Sequence, residues 1–196
     1  MKIGIFGGSF NPPHKMHVEM AKELINKHYV DKIIYVPTGS KYKYKNNLID
    51  DYKRYRMLEI ICQKEKNMEV NNYELKDKVV YTYETLKYFK DKYKNDEIYF
   101  ICGTDNLSYM DKWENGEFIL GNYKILVIKR ETDSYEAIIK RLNKYKDNII
   151  LTDVLPYKIS STIIREMIKN NSKDINKYLD NDVYKYIKKN KLYLED

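Results

Sequence analysis

The sequence predicts an α/β fold: a Rossmann-like, doubly wound parallel sheet with helices on both faces and a small C-terminal helical portion. Short β-branched runs alternate with segments in which apolar residues recur every three or four positions, a pattern typical of βαβ units. The first run, Lys2–Phe6, is mostly apolar and leads into two glycines, as expected of a strand buried on both faces. No internal repeat or linker divides the chain.

Each element follows from this alternation. The predicted strands are Lys2–Phe6, Lys32–Val36, Met68–Asn71, Ile98–Cys102, Tyr123–Ile128 and Asn148–Leu151. Three helices are predicted from apolar spacing, at Val18, Ala21, Leu24 and Ile25, at Met57, Leu58 and Ile61, and at Leu86, Phe89 and Tyr93. Asp180 is the predicted N-cap of a last helix. The long irregular stretch Thr38–Asp50 follows the second strand, where such folds bind ligands, and is either functional or a solvated Lys-rich loop.

Length and composition fit one globular domain. The 196 residues, 43% of them apolar, suffice for one core, divided here into a sheet core at 1–155 and C-terminal helices at 156–196. No run approaches the roughly 20 apolar residues that cross a bilayer, and the N-terminal run is too short for a secretory signal. Cys62 and Cys102 lie in apolar runs without metal-type spacing. We therefore expect reduced cysteines and a cytoplasmic protein without a membrane partner.

The net charge of +7 and the pI near 9.0 fit a nucleic-acid-binding or nucleotide-sensing module as well as a protein that attracts nucleoside phosphates. Lysines are scattered along the chain, and only five residues are arginine. The one basic stretch with interleaved aromatics is the short segment Lys41–Lys45. We therefore predict no nucleic-acid partner and keep the module as an alternative.

The segment Gly7–His17, with the sequence GGSFNPPHKMH, stands between the first strand and the first helix. Its glycines allow a ligand to approach the backbone closely, and a helix N-terminus favours phosphate. Two of the three histidines, His14 and His17, fall in this segment, whereas His28 is predicted on the surface. The segment predicts a phosphate site, with helix-capping histidines as the alternative.

A second motif, Ile159–Arg165 with the sequence ISSTIIR, opens the predicted penultimate helix. Together the two segments resemble the GG[ST]F[DN]PxHxGH and ISSTxIR motifs of the nicotinate mononucleotide adenylyltransferases, in the wider HxGH nucleotidyltransferase group. Weaker matches lie between them, at Tyr81-Thr82 with Glu84-Thr85-Leu86, at Gly103-Thr104-Asp105 with Trp113, and at Lys129-Arg130. The resemblance extends from Lys2 to about Leu192.

The resemblance implies transfer of AMP from ATP to a mononucleotide phosphate without a covalent enzyme intermediate. His14 and His17 would contact the ATP phosphates, with His17 stabilising the transition state. Ser161, Thr162 and Arg165 would hold the β- and γ-phosphates. The full set implied to bind ATP is Gly7, Gly8, Ser9, Phe10, Gly103, Asp105, Ile159, Ser161, Thr162 and Arg165. Mg²⁺ would bind mainly through the phosphates and water, so no metal-ligating residue is predicted.

The acceptor side is implied to use Lys43, Thr82, Trp113 and Arg130. Thr82 would receive the nicotinate carboxylate, and Trp113 would either stack on the pyridine ring or serve only in packing. Asp105 would touch a ribose hydroxyl or the adenosine side, or else cap a helix.

Three departures from the family pattern keep the acceptor open. Met16 replaces the glycine of HxGH, Val80 replaces the serine before Tyr81, and Pro37–Lys43 stands where the family has PPHK. One of Lys41, Lys43 and Lys45 would supply the missing cation. The predicted reaction is adenylylation of nicotinate mononucleotide in NAD biosynthesis, and nicotinamide mononucleotide and phosphopantetheine are the alternative acceptors. The sequence leaves a homo-oligomer open.

Overall fold

The computed structural model of the protein describes residues 1–42, 48–129, 134–155 and 159–194. Within them, six strands form one sheet: β1 Lys2–Gly8, β2 Lys32–Pro37, β3 Met68–Val70, β4 Glu97–Gly103, β5 Lys124–Ile128 and β6 Ile149–Leu151. All neighbouring strands pair in parallel, in the order β3-β2-β1-β4-β5-β6. The six predicted strands are confirmed with ends shifted by at most two residues. The largest shift, at the end of β1, arises because Gly8 still pairs with Pro37.

Helices fill the connections between the strands. In the described part of the chain they are α1 Lys15–Asn26, α2 Asp51–Cys62, α3 Thr82–Lys92, α4 Thr104–Leu107, α5 Gly116–Asn122, α6 Tyr135–Arg141, α7 Ser161–Lys169 and α8 Asn181–Lys189. Short 3₁₀ turns occupy Met110–Lys112, Asn143–Asn148 and Lys173–Lys177. Asp50, Ser160 and Asp180 each accept a hydrogen bond from a first-turn backbone N–H, as N-caps do. The prediction for Asp180 is confirmed.

The sheet separates two apolar clusters, as a doubly wound sheet requires. Because side chains alternate along a strand, Phe6 of β1 joins the cluster beneath α1, α2, α7 and α8. Ile3 and Ile5 of the same strand join the cluster beneath α3, α5 and α6. The predicted fold, a parallel sheet covered by helices on both faces, is confirmed.

The strand order reverses at the centre of the sheet, between β1 and β4. In doubly wound folds the crevice at the carboxyl ends of such strands is where ligands bind. Gly7 and Gly8 at the end of β1 and Gly103 at the end of β4 therefore share one edge. The Thr38 N–H, just past β2, donates to the Gly8 carbonyl at 2.9 Å and brings the next loop to the same edge.

The C-terminal helices pack on one face of this sheet. Ile164 and Ile168 of α7 and Val183 and Ile187 of α8 belong to the same cluster as Phe6. On the surface, the ammonium of Lys64, two residues past α2, contacts the carboxylates of Asp180, the N-cap of α8, and of Asp182 in its first turn, at 2.7 and 2.8 Å. No helix in the described ranges is long and apolar enough to span a bilayer.

Candidate functional site

The segment Gly7–His17 leaves β1, crosses the central crevice and enters α1. Phe10 turns the chain with a φ of 47°, and its ring is buried under Gly8, where a Cβ atom would lie 3.1 Å from the ring. A side chain at position 8 would therefore displace Phe10. The Phe10 ring in turn meets the His17 imidazole edge-on, with centroids 5.1 Å apart.

The two histidines of the segment lie against each other at the start of α1. His14 is the N-cap and His17 the third residue of the helix, and their rings stack with centroids 3.7 Å apart. The His14 backbone N–H donates to His17 Nδ1 at 3.2 Å. Because Nδ1 accepts this bond, neutral His17 carries its proton on Nε2. The hydrogen bond thereby fixes the orientation of the His17 ring.

His14 is the more deeply placed of the pair, with only 4% of its surface exposed. Burial lowers the pKa of its imidazole to about 4, because a charged ring would lose its hydration. Its Nδ1 is buried and has no hydrogen-bond partner among the described residues. His14 is therefore a neutral polar group at physiological pH.

The second motif docks on the first. Ser160 caps α7, and the neighbouring Ser161 hydroxyl donates to the Pro12 carbonyl at 2.9 Å. The Arg165 guanidinium donates to the Asn11 carbonyl at 2.8 Å and to the Thr162 hydroxyl at 3.2 Å. Two segments about 150 residues apart therefore form one surface, on which two helix N-termini and an arginine are available to an anion.

A fully buried arginine supports this surface from below. Arg54 of α2 donates to the carbonyls of Ser9 at 2.8 Å, Thr38 at 2.6 Å and Ile49 at 3.1 Å, and it pairs with Asp51 at 2.5 Å. It thus joins the Gly7–His17 segment to both ends of the loop after β2. Sequence reasoning missed it, although an arginine on the apolar stripe of α2 was a usable signal.

A cavity of about 500 Å³ is lined in part by Gly7 and Gly8. Its wall includes the half-buried Trp113, whose ring meets Phe100 and Tyr109 edge-on at 6.2 and 5.9 Å. Tyr109, which the sequence reasoning missed, is about half exposed. Its position four residues before Trp113 was the only signal in the sequence. The two rings give the cavity an aromatic side suited to a flat ligand.

The N-terminus of α3 faces the same cavity. Thr82 is the first residue of this helix and lines the cavity together with Tyr81 and Val80. The Glu84 carboxylate accepts the Tyr81 N–H at 2.9 Å. The unpaired N–H groups of a helix start favour an anion at this wall.

Glu74 is the buried carboxyl of the cavity wall, with 8% of its surface exposed. Burial raises its pKa to about 7, although the Thr85 hydroxyl, which donates to Glu74 Oε1 at 2.7 Å, and the charge of Arg54 oppose the rise. The Glu84 carboxylate adds to it. No feature of the sequence marked this residue.

The remaining predicted site residues are placed less centrally. Gly103 is the N-cap of α4, and Asp105 lies in its first turn, so the alternative that Asp105 caps this helix is wrong. Ile159 is half-buried against the core cluster. Lys43 and Arg130 lie outside the described residues. Met16 is half-buried on α1, and Lys41 pairs with Asp77 at 2.9 Å on the surface.

Comparisons with known proteins show the family to which the chain belongs. A family model described as cytidylyltransferase-like matches residues 5–167. A probable nicotinate-nucleotide adenylyltransferase from Clostridium acetobutylicum is 36% identical over 98% of this chain and 99% of its own length. Another from Clostridium novyi is 38% identical over 86% of this chain and 88% of its own. The chain belongs to the nicotinate-nucleotide adenylyltransferases of the cytidylyltransferase-like family.

Solved structures of nicotinic acid mononucleotide adenylyltransferase from Plasmodium falciparum have the same fold as this adenylyltransferase. The complex with NaAD has a TM-score of 0.81 at 24% identity and covers 98% of this chain and 97% of its own. The complex with APC has a TM-score of 0.80 at 25% identity and covers 98% and 96%. The resemblance first inferred from the motifs is confirmed.

The buried carboxyl predicts a pH dependence of stability in this adenylyltransferase. The folded-state pKa of Glu74, about 7, lies above its ordinary value near 4.5, so the folded state retains a proton that the unfolded chain loses. Stability therefore falls as the pH rises from about 4.5 to 7 and levels off above that range. As the pH rises across this range, the unfolding free energy of Glu74→Gln should increase relative to that of wild type by on the order of 3 kcal/mol. Urea denaturation of both proteins at each pH measures this difference.

The control for this measurement is Glu114→Gln, which changes an exposed carboxyl at the same cavity. Its unfolding free energy should follow wild type at every pH. A Glu74→Gln protein that also follows wild type would contradict the raised pKa.

Proposed function

We propose that the chain transfers AMP from ATP to nicotinate mononucleotide, giving deamido-NAD and pyrophosphate in NAD biosynthesis. The observation that carries this proposal is the docking of Ser161 and Arg165 on the Gly7–His17 segment. It creates an anion-binding surface next to a cavity with an aromatic wall. The names of the curated relatives support the same activity.

The ATP end of the reaction uses the docked surface. A phosphate oxygen of the acceptor attacks the α-phosphorus of ATP and forms the new P–O bond. The bond from the α-phosphorus to the bridging oxygen breaks, and pyrophosphate leaves with the electron pair. Negative charge builds on the phosphate oxygens, where the His17 Nε2–H and the Arg165 guanidinium offer donors. His14, neutral because its pKa is about 4, supplies a dipole rather than a charge.

Adenosine would lie at the carboxyl end of β4, beside Gly103 and Asp105. Gly7, Gly8, Ser9 and Phe10 would line the phosphate path, since the crevice of a doubly wound sheet opens at these strand ends. Ser161, Thr162 and Arg165 would hold the β- and γ-phosphates. Ile159 would set the start of α7 through its packing on the core.

The acceptor end uses the aromatic cavity. The pyridine ring would stack on Trp113, and the nicotinate carboxylate would meet the N-terminus of α3 at Thr82. Lys43 and Arg130, which lie outside the described residues, stay predicted acceptor-binding residues from the resemblance. A helix N-terminus stabilises an anionic carboxylate more strongly than a neutral carboxamide, and this difference favours binding of nicotinate over nicotinamide. A flat aromatic wall also suits a pyridine better than a pantetheine chain.

Mg²⁺ would accompany the ATP phosphates. Among the described residues, no cluster of three or more His, Cys, Asp or Glu side chains is arranged to hold a metal ion. A magnesium ion bound through phosphate oxygens and water requires no such cage, and the residues present fit that mode. When bound, the ion would neutralise charge on the departing pyrophosphate.

Some features of the protein stay predictions from the sequence alone. They are the cytoplasmic location, the single domain spanning 1–196 and the absence of a nucleic-acid partner. A homo-oligomer stays open.

The substrate proposal predicts a clear order of acceptors. Pyrophosphate release from ATP and Mg²⁺ should be fastest with nicotinate mononucleotide. Nicotinamide mononucleotide should react at least about 10-fold more slowly in kcat/KM, because it lacks the carboxylate that the α3 N-terminus binds. Phosphopantetheine should not react. The measurement is coupled pyrophosphate release with the three acceptors in parallel, and equal rates with the two pyridine nucleotides would contradict the assigned carboxylate site.

The role of His17 predicts a loss of turnover on its removal. His17→Ala should lower kcat by about 100- to 1000-fold, the usual effect of deleting one donor to developing charge. It also removes the acceptor of the His14 N–H, so circular dichroism must show that the variant is folded. His28→Ala is the control, because His28 is exposed and lies past the far end of α1. Near-normal turnover of His17→Ala would reject the assigned role.

A further inference from the structure

The chain that follows α8 returns to the Gly7–His17 segment. The Tyr193 hydroxyl donates to Asn11 Oδ1 at 3.0 Å, although 182 residues separate the two in sequence. Asn11 is 3% exposed and lies between the left-handed Phe10 and Pro12. Tyr193 belongs to neither of the two motifs. The C-terminal tail therefore reaches the buried polar side chain at the middle of the phosphate segment.

The end of α8 directs the tail to this position. Lys191 has a φ of 50°. Its N–H donates to the Lys188 carbonyl at 3.2 Å, and the Leu192 N–H donates to the Ile187 carbonyl at 3.0 Å. This pair of bonds is the Schellman termination of a helix, which turns the chain sharply. Leu192 is buried in the same apolar cluster as Ile187, and this packing anchors the turn.

Tyr193 itself adopts a φ of 63°, in the left-handed region that a bulky side chain rarely occupies. Its contacts must offset this backbone preference. The ring packs against the core cluster beneath α1 and α8, and burial raises the pKa of the hydroxyl. The hydroxyl therefore stays protonated and donates its hydrogen bond throughout the neutral and mildly alkaline range.

Asn11 is a junction of three parts of the molecule. Its Oδ1 accepts the Tyr193 hydroxyl and also the Ile49 N–H at 3.4 Å, at the end of the loop after β2. Its carbonyl accepts the Arg165 guanidinium at 2.8 Å. His14, the cap of α1, follows only three residues later. Fixing the Asn11 amide therefore fixes the backbone between the glycines and the histidines, and with it the partner of Arg165.

We propose that Tyr193 is a positioning residue for the ATP triphosphate and acts through Asn11. By holding the Asn11 side chain, its hydroxyl keeps the Gly7–His17 segment in register with α7, so that the two helix N-termini and Arg165 face one set of phosphate oxygens. The inference rests on the proposed function for the identity of the nucleotide. The acceptor cavity is lined by Gly7 and Gly8 of the segment, but its lining does not include Tyr193 or Asn11.

The test is calorimetric binding of α,β-methylene ATP, which needs no acceptor, alongside binding of nicotinate mononucleotide. Tyr193→Phe removes only the hydroxyl and should raise the dissociation constant of the ATP analogue about 5-fold, the effect of one hydrogen bond. Affinity for nicotinate mononucleotide should stay at the wild-type level. A residue that serves only in packing would lower the unfolding temperature without this split between the two ligands.

Two further variants make the test specific. Tyr184→Phe is the matched control, because Tyr184 lies on α8, packs half-buried against the same core cluster as Tyr193 and belongs to neither motif, and it should bind both ligands like wild type. Asn11→Ala should weaken binding of the ATP analogue. Adding Tyr193→Phe to Asn11→Ala should weaken this binding no further, since both changes break the same contact. The inference would be overturned if Tyr193→Phe bound the analogue with wild-type affinity. It would also be overturned if the double variant bound the analogue more weakly than Asn11→Ala alone.

The same data separate this inference from the proposed function. A wild-type protein that binds the analogue but releases no pyrophosphate with nicotinate mononucleotide would refute the proposed function. The Tyr193 inference would then be decided by the analogue affinities alone. A wild-type protein that does not bind the analogue would overturn both.

Discussion

The contact on which the site depends is the docking of α7 on the Gly7–His17 segment. Arg165 and Ser161 donate to the carbonyls of Asn11 and Pro12, and these bonds place the N-termini of α1 and α7 side by side. Neither helix start alone would select a triphosphate, because a single helix N-terminus offers only a partial charge. Together with the guanidinium, they offer donors from two directions and therefore suit several phosphate oxygens at once.

The electrostatics of the site follow from burial as much as from charge. His14 is held neutral by its surroundings, with a pKa of about 4, whereas Glu74 is held partly protonated, with a pKa of about 7. Both shifts have desolvation as their first cause, since burial disfavours the charged form of either group. Arg54 is the exception, a buried cation that donates to three carbonyls and pairs with Asp51. It holds the backbone of the site, and it is fully buried rather than exposed at the site surface.

Much of the fold and of the phosphate site could be predicted from the sequence. Continuous apolar runs marked the strands because both faces of the sheet are buried, and the glycines and histidines of one short segment marked the phosphate site. Glu74 and Tyr193 could not be found in this way, because each acts through a contact with another part of the chain, and such contacts leave no local pattern. Arg54 stands on the apolar stripe of α2, a signal that the sequence reasoning did not use. The acceptor cavity was predicted only in part, since Thr82 and Trp113 were identified but Tyr109 was not.

The central claim is that both motifs bind one ATP triphosphate. The most direct measurement is a crystal structure of the protein with α,β-methylene ATP and nicotinate mononucleotide. The account predicts triphosphate oxygens within hydrogen-bond distance of both His17 Nε2 and the Arg165 guanidinium, with the pyridine ring beside Trp113. A triphosphate bound away from either the α1 or the α7 N-terminus would contradict it.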